Sequence, residues 1–258
     1  MADNRSIGLF DSGVGGTSIW NEIHLLLPLE STIYLADSKN APYGPKSKEE
    51  ILALSKKNTE ILLGEGCKLI VVACNTATTN AIKELRETYP IPFIGIEPAI
   101  KPAALQSKTN SIGVLATKGT LSSDLFHKAV EAYSEVKIVE QIGHGLVQLI
   151  EDGKADSAEA EHLLRTYLQP MIEENIDHLV LGCSHYPYLI PLIRKILPSD
   201  IRIIDSGEAV ARQTKAVLEK HHALADQQLQ QPLFYSNSDS TVLKQLLNHR
   251  YTVLEKNF

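Results

Sequence analysis

The chain has 258 residues, of which 43% are hydrophobic, as expected of a folded globular protein. Its formal net charge of −6 excludes the basic surface on which general nucleic-acid binding depends. The three cysteines include no CxxC pair, which excludes a disulfide framework and a zinc-ribbon pattern, so we expect three free thiols.

The sequence predicts neither membrane insertion nor export. No stretch reaches the roughly 18 apolar residues of a membrane helix, and residues 1–5 lead directly into a strand-like run without an apolar leader. We therefore expect a cytoplasmic protein with no membrane partner and no nucleic-acid partner.

Strand-like and helix-like runs alternate along the chain, which predicts βαβ units, mostly parallel sheets and an α/β fold. The strand-like runs are 6–10, 31–36, 68–73, 91–96, 111–116, 136–140, 178–182 and 201–204. The helix-like runs are 17–27, 47–64, 77–88, 122–133, 144–151, 157–175, 188–196 and 207–220. The segment 222–231 is predicted to be a surface loop or a frayed helix. After it, a strand-like run at 232–235 and an amphipathic segment at 240–247 are expected to pack back onto one of the halves.

A glycine-rich turn follows the first strand and resembles part of a dinucleotide-binding fingerprint. Gly13 and Gly15 are followed, at roughly the required spacing, by Asp37 at the end of the second strand. However, Ser18 stands at the third glycine position, and Asp11 would repel a pyrophosphate. The alternative is that N–H groups at this helix start bind an anion such as a carboxylate. Asp11 would then serve the substrate's ammonium group or a neighbouring thiol.

Two prolines and a glycine surround Tyr43 and predict a rigid loop. Such a loop can present its backbone N–H groups and the Tyr43 phenol to a ligand. It can also be a structural turn before a helix, since Ser47 and Glu50 form a capping box.

Two cysteines stand at the ends of apolar, strand-like runs. Cys74 precedes an Asn-Thr pair, and Cys183 precedes Ser184 and His185. Helix N-termini at these positions would lower the pKa of each thiol, and His185 could take or hold the proton of Cys183. A zinc site is the weaker interpretation because no metal-binding spacing is present. Cys67 has no neighbour that suggests reactivity and is expected to be a buried structural residue.

The strand-end thiols belong to an internal repeat. The segment from Ile7 resembles the segment from Ile112, and Cys183 follows Cys74 at nearly the same offset. Strand–turn–helix segments recur in any α/β protein, but two matching pairs in one order suggest a duplicated half. Two halves packed face to face would place the thiols on opposite walls of one cleft. One thiolate could then remove an amino-acid α-proton while the other thiol returns a proton to the opposite face, which is two-base catalysis.

The chain resembles the cofactor-independent glutamate racemases of the aspartate/glutamate racemase superfamily over nearly its whole length. The motifs that carry the resemblance are residues 7–16, 42–44, 73–77, 95–98, 116–120, 182–187 and 205–207, in the family's order. The resemblance implies two similar α/β halves related by a pseudo-twofold, with the active site in the cleft between them. The first domain would comprise 1–98 with 207–258, and the second 99–206.

The same resemblance implies an isomerase that interconverts L- and D-glutamate without cofactor or metal and supplies D-glutamate for peptidoglycan; a homodimer stays open. Cys74 is expected to act on D-glutamate with the help of Asp11, and Cys183 on L-glutamate with the help of His185. Glu151 matches a family acid near the second thiol. The implied substrate contacts are Asp11, Ser12, Pro42, Tyr43, Gly44, Asn75, Thr76, Thr117, Thr120, Ser184 and His185.

The chain departs from the family pattern at three places. Ser184 and Thr78 are mild replacements, for a usual threonine and a usual serine, and both keep the hydroxyl. Residues 143–145 replace a usual Cys-Pro pair, which leaves the role of Glu151 open, and Asp37 matches an acid of less certain role. Other interpretations are an aspartate-type racemase, a nicotinamide-dependent oxidoreductase and a non-catalytic amino-acid-binding module. Cofactor absorbance would identify the oxidoreductase, and α-proton exchange would exclude the binding module.

Overall fold

The computed structural model describes residues 2–258. Strands and helices alternate within this range, which confirms the predicted α/β fold. The strands are β1 (Ile7–Asp11), β2 (Thr32–Ala36), β3 (Leu69–Val72), β4 (Phe93–Gly95), β5 (Ser111–Ala116), β6 (Lys137–Ile142), β7 (His178–Gly182), β8 (Arg202–Ile204), β9 (Leu233–Ser236) and β10 (Thr252–Glu255). The helices are α1 (Thr17–Leu26), α2 (Lys48–Gly64), α3 (Asn75–Thr88), α4 (Ile100–Gln106), α5 (Lys118–Leu121), α6 (Asp124–Glu131), α7 (Leu146–Glu151), α8 (Ala158–Glu173), α9 (Ile190–Ile196), α10 (Gly207–Lys220) and α11 (Thr241–Leu246).

The two sheets repeat one strand order. The first sheet runs β10-β9-β2-β1-β3-β4 and the second runs β6-β5-β7-β8, so β1 to β4 correspond to β5 to β8. All the strand pairs are parallel. Cys74 follows β3 and Cys183 follows the equivalent β7, so both thiols stand at the carboxyl edge of a parallel sheet, where ligands bind in folds of this class. The repeated order confirms two similar halves.

The C-terminal segment returns to the first half. Helix α10 packs against α1, and β9 and β10 extend the first sheet beyond β2. The chain leaves the first half near Glu97 and returns to it near Ser206. The two connecting segments are in contact, since Ser206 Oγ donates to the Glu97 carbonyl at 2.5 Å. We keep 1–98 with 207–258 and 99–206 as the proposed domains.

The strands that the sequence predicts most clearly are the buried central ones. Every residue of β1, β2, β3, β5 and β7 is buried, as expected of parallel strands covered on both faces. Among the residues described, no helix has both the length and the apolar character needed to cross a membrane.

Helices α4 and α5 and strand β10 were not predicted. Helix α4 contains Pro102, which is tolerated at its third residue because first-turn N–H groups have no intrahelical partner. Strand β10 lies at the edge of the first sheet and is mostly exposed, so it lacks the apolar pattern of the central strands. The helix predicted at 188–196 is a short 3₁₀ turn, Tyr186–Leu189, followed by α9.

Candidate active site

Residues of both halves enclose one cavity that contains Cys74 and Cys183. The free space is about 10 Å³, roughly what a single water molecule needs. The lining residues are Ser12, Pro42, Tyr43, Gly44, Cys74, Asn75 and Thr76 from the first half, and Thr117, Val147, Cys183, Ser184 and His185 from the second. The two thiols therefore approach one small volume from different sheets.

Sequence reasoning singled out all of these residues except Val147. Val147 is an apolar side chain on α7, and nothing in its local pattern distinguishes it from a core residue. Three residues singled out from the sequence, Asp11, Thr120 and Glu151, do not line the cavity. Each of them instead hydrogen-bonds a residue that does.

Asp11 ends β1 and is fully buried. Its Oδ2 accepts hydrogen bonds from the backbone N–H groups of Gly13 (3.2 Å) and Gly16 (3.1 Å). Its Oδ1 accepts from Ser184 Oγ at 3.1 Å, which joins the two halves directly behind the thiols. Burial raises the pKa of Asp11, and the neighbouring charge of His185 opposes that rise only in part.

The other N–H groups of the glycine-rich turn face the second half. Val14 N donates to Glu151 Oε1 at 2.7 Å, and Gly15 N lies 3.2 Å from His185 Nε2. A Cβ at Gly13 would stand 1.9 Å from Glu151 Oε1, so the glycine is required by this close approach. The expectation that this turn binds an external anion is wrong for the N–H groups of Gly13, Val14 and Gly16, because carboxylates of the protein itself accept from them.

His185 connects Glu151 to the second thiol. Its Nε2 lies 2.6 Å from Glu151 Oε1, and its Nδ1 lies 3.8 Å from Cys183 Sγ. Burial lowers the pKa of His185, but the hydrogen bonds to Cys183 and Glu151 and the charge of Asp11 outweigh it, so the pKa is raised well above its usual value. We therefore assign the Nε2 proton to the short contact with Glu151 and treat His185 as an imidazolium.

Cys74 has different surroundings. Its Sγ caps α3 by accepting from Ala77 N at 3.4 Å, and it lies 3.7 Å from Ser12 Oγ. The sequence-based expectation of a lowered pKa is wrong for this thiol. Complete burial and the charge of Asp11 raise the pKa of Cys74 well above its usual value, and the Ala77 bond offsets only a small part of this.

Asn75 is the first residue of α3 and is buried beside Cys74. Its side-chain Oδ1 and Nδ2 find no hydrogen-bond partner among the described residues. An amide left unpaired in the interior costs free energy, so such a group in a cavity wall is available to a ligand.

Three threonine hydroxyls meet where α3 faces the second half. Thr76 Oγ1 lies 2.8 Å from Thr117 Oγ1, which lies 3.0 Å from Thr120 Oγ1. Thr120 thus supports Thr117 from behind. Nearby, Asn80 Nδ2 donates to the Gly119 carbonyl at 3.0 Å and adds a further bond between the halves.

The loop around Tyr43 is both a cavity wall and a helix entrance. The capping box is present, because Ser47 Oγ accepts from Glu50 N and the Glu50 carboxylate accepts from Ser47 N. The expectation that the phenol is offered to a ligand is wrong, because it donates to Asp37 Oδ2 at 2.5 Å. The backbone N–H groups of Tyr43 and Gly44 donate to no carbonyl among the described residues.

Across residues 2–258, no group of three or more His, Cys, Asp or Glu side chains is arranged to hold a metal ion.

Comparisons with known proteins identify the family and match the fold. Residues 18–214 match the family described as Asp/Glu/Hydantoin racemase. Glutamate racemase of Ectopseudomonas mendocina (strain ymp) is 46% identical over 235 residues, which cover 90% of this chain and 89% of that protein. Glutamate racemase isoform RacE1 from Bacillus anthracis superposes with a TM-score of 0.89 at 33% identity, covering 99% of this chain and 98% of that one. The Escherichia coli glutamate racemase, solved in complex with L-glutamate and the activator UDP-MurNAc-ala, superposes with a TM-score of 0.88 at 33% identity, covering 98% of each chain.

Proposed function

The chain belongs to the glutamate racemases of the Asp/Glu/hydantoin racemase family, and on that premise we propose that it interconverts L- and D-glutamate by proton transfer between the substrate and two thiols. The observation that carries the proposal is that Cys74 and Cys183, from equivalent positions of two similar halves, line the same cavity.

The two thiols have different surroundings, which suit different parts in the reaction. Cys183 Sγ lies 3.8 Å from Nδ1 of the His185 imidazolium, which can stabilise negative charge that develops on the sulfur. Burial and the charge of Asp11 raise the pKa of Cys74, so this thiol keeps its proton until a carbanion is there to receive it. For L-glutamate, Cys183 therefore acts as the base and Cys74 as the acid.

L-glutamate is converted in two proton transfers. The thiolate form of Cys183 takes the α-proton from one face, and Cys74 then gives its own proton to the opposite face of the planar carbanion. The product is D-glutamate, with Cys183 as thiol and Cys74 as thiolate, and exchange of the thiol protons with solvent restores the starting state. D-glutamate is converted by the reverse transfers, beginning with Cys74 as the thiolate, and no redox change is needed.

The cavity offers donors for the substrate's carboxylates. Asn75 contributes an unpaired amide, and the backbone N–H groups of Asn75 and Thr76, the first two residues of α3, have no intrahelical acceptor. On another wall, the N–H groups of Tyr43 and Gly44 are free of backbone partners. Donors at separate points suit a substrate with two carboxylates, and a shorter amino acid would leave some of them unpaired.

The halves must part to admit an amino acid, since the cavity of about 10 Å³ is far smaller than glutamate. Hydrogen bonds between the halves would open with it, among them those of Ser184 with Asp11, Val14 with Glu151, Thr76 with Thr117, and Asn80 with Gly119. A role in supplying peptidoglycan, a cytoplasmic location and a homodimer remain expectations from the sequence.

The decisive experiment treats purified protein exhaustively with chelator, adds neither pyridoxal phosphate nor nicotinamide, and follows L-glutamate by circular dichroism. We expect conversion to an equal mixture of enantiomers, and much slower conversion of L-aspartate. Activity that disappears with chelator and returns with zinc would contradict the metal-independent proposal. Equal efficiency on aspartate would indicate the aspartate-type alternative.

A further inference from the structure

Asn237 reaches from the C-terminal segment into the support of the substrate loop. It follows β9 directly and is buried. Its Nδ2 donates to Asp37 Oδ1 at 2.5 Å, and its Oδ1 accepts from Lys39 N at 2.9 Å. A single side chain therefore holds both the carboxylate and the backbone at the start of the loop that leads to Tyr43.

Asp37 passes this constraint to Tyr43. The carboxylate is 2% exposed, and its Oδ2 accepts the phenol proton of Tyr43 at 2.5 Å. Asn40 Nδ2 supplies a third donor, to Oδ1, at 2.7 Å. No Lys, Arg or His forms an ion pair with Asp37 among residues 2–258, so these neutral donors replace solvation of the carboxylate.

Tyr43 carries the constraint into the cavity wall. Tyr43 and Gly44 line the cavity, and their backbone N–H groups have no backbone acceptor. The loop has little room to move toward the second half, since a Cβ at Gly44 would stand 3.2 Å from Thr117 Cβ. A shift of the phenol therefore moves the backbone donors that face the ligand.

We propose that Asn237 is a positioning residue for substrate binding: through Asp37 it holds Tyr43 and the backbone of residues 42–44 in the orientation that receives a substrate carboxylate. The proposal rests on the proposed function, and it gives Asp37 a role that its position at a strand end left open. It also means that the C-terminal segment, by returning to the first sheet, affects the active site.

A positioning role differs from a merely structural one in its kinetic pattern. Loss of ground-state binding raises KM and leaves kcat nearly unchanged. If the effect travels through the phenol, it should vanish once the phenol is removed, because residues in one hydrogen-bond network are not additive. General destabilisation would lower the amount of folded enzyme and would add to the effect of a Tyr43 substitution.

The experiment compares Asn237→Ala and the isosteric Asn237→Asp, each alone and combined with Tyr43→Phe. Ser236→Ala is the matched control, because Ser236 is the preceding residue, is 1% exposed and has a side chain that hydrogen-bonds only within its own turn, to residue 238. We expect Asn237→Ala to raise KM for both enantiomers by about tenfold with kcat within about threefold. In the Tyr43→Phe background the further change should be below about twofold. Ser236→Ala should leave both constants unchanged.

Three results would overturn the proposal: unchanged KM in folded Asn237 variants, the same fold-increase in both backgrounds, or an equal increase in Ser236→Ala. A crystal structure of Asn237→Asp gives a readout that does not depend on the reaction. A displaced Tyr43 is expected, and an undisturbed bond between Tyr43 and Asp37 would contradict the proposal even if the unsubstituted chain proved inactive on glutamate.

Discussion

Glu151 Oε1 lies 2.6 Å from His185 Nε2, and the same oxygen accepts a hydrogen bond from Val14 N. The carboxylate therefore orients the imidazole beside Cys183 and also joins α7 to the glycine-rich turn of the other half. This double contact answers the doubt that residues 143–145 raise about Glu151, because the altered sequence still delivers the carboxylate to His185.

Glu151→Gln should shift the pH dependence of catalysis. The raised pKa of His185 means that the imidazolium is present below that pKa and is lost as pH rises through it. Glutamine replaces the charged acceptor of the hydrogen bond that helps to raise this pKa, so the loss should begin at lower pH than in the unsubstituted enzyme. The measurement is kcat/KM for L-glutamate against pH. Asp152→Asn, an exposed neighbour, serves as the control and should keep the original profile.

Asn75→Leu should raise the stability of the fold and weaken substrate binding. The substitution removes a buried amide that has no partner among the described residues, which we expect to stabilise the fold by about 1–3 kcal/mol, less any cost of fitting the leucine. It also removes a substrate donor, so KM should rise about tenfold or more. Thermal unfolding and steady-state kinetics measure the two effects.

Thr59→Val is the control, because it removes an unpaired buried polar group away from the cavity. Thr59 is buried in α2 with a hydroxyl that likewise finds no partner among the described residues, and it does not line the cavity. It should gain stability with no change in KM. An Asn75→Leu enzyme with unchanged KM would show that the amide does not bind substrate.

Alkylation of Cys74 should report its raised pKa. Since only the thiolate reacts, the rate of modification by iodoacetamide should rise about tenfold per pH unit, with no plateau below pH 9. Peptide mass spectrometry separates this site from Cys67, whose pKa burial raises to about 12. A plateau near neutral pH would mean that burial and Asp11 do not protect the Cys74 proton.

Short sequence patterns predicted the features that are set by neighbouring residues in the chain. Cys74 and Cys183 could be predicted because each ends an apolar run, and parallel strands deliver such residues to one edge. The fold class followed from the alternation of the same runs. The loop at 42–44 was singled out by its prolines and glycine, whereas Thr117 came from the family resemblance alone.

Features set by distant partners could not be predicted in this way. The pKa of Cys74 depends on complete burial between two halves, which a helix-terminus argument does not include. In the sequence, the glycine-rich turn resembles an anion site. In the structure, Glu151 and His185 of the other half contact its N–H groups. Asn237 lies 200 residues from Asp37 in sequence, and no local signal links them.

The most direct test of the two-thiol mechanism incubates each glutamate enantiomer in deuterated water with Cys74→Ala, Cys183→Ala or Cys67→Ala, and follows inversion and α-deuterium together. We predict that the first two variants lose racemisation by at least about 10²–10⁴-fold, because inversion needs a proton carrier on each face. Any remaining exchange should label D-glutamate in Cys183→Ala and L-glutamate in Cys74→Ala. Cys67→Ala should remain active, since Cys67 precedes β3 and lies at the opposite end of that strand from Cys74. Substantial inversion by either of the first two variants would contradict the mechanism.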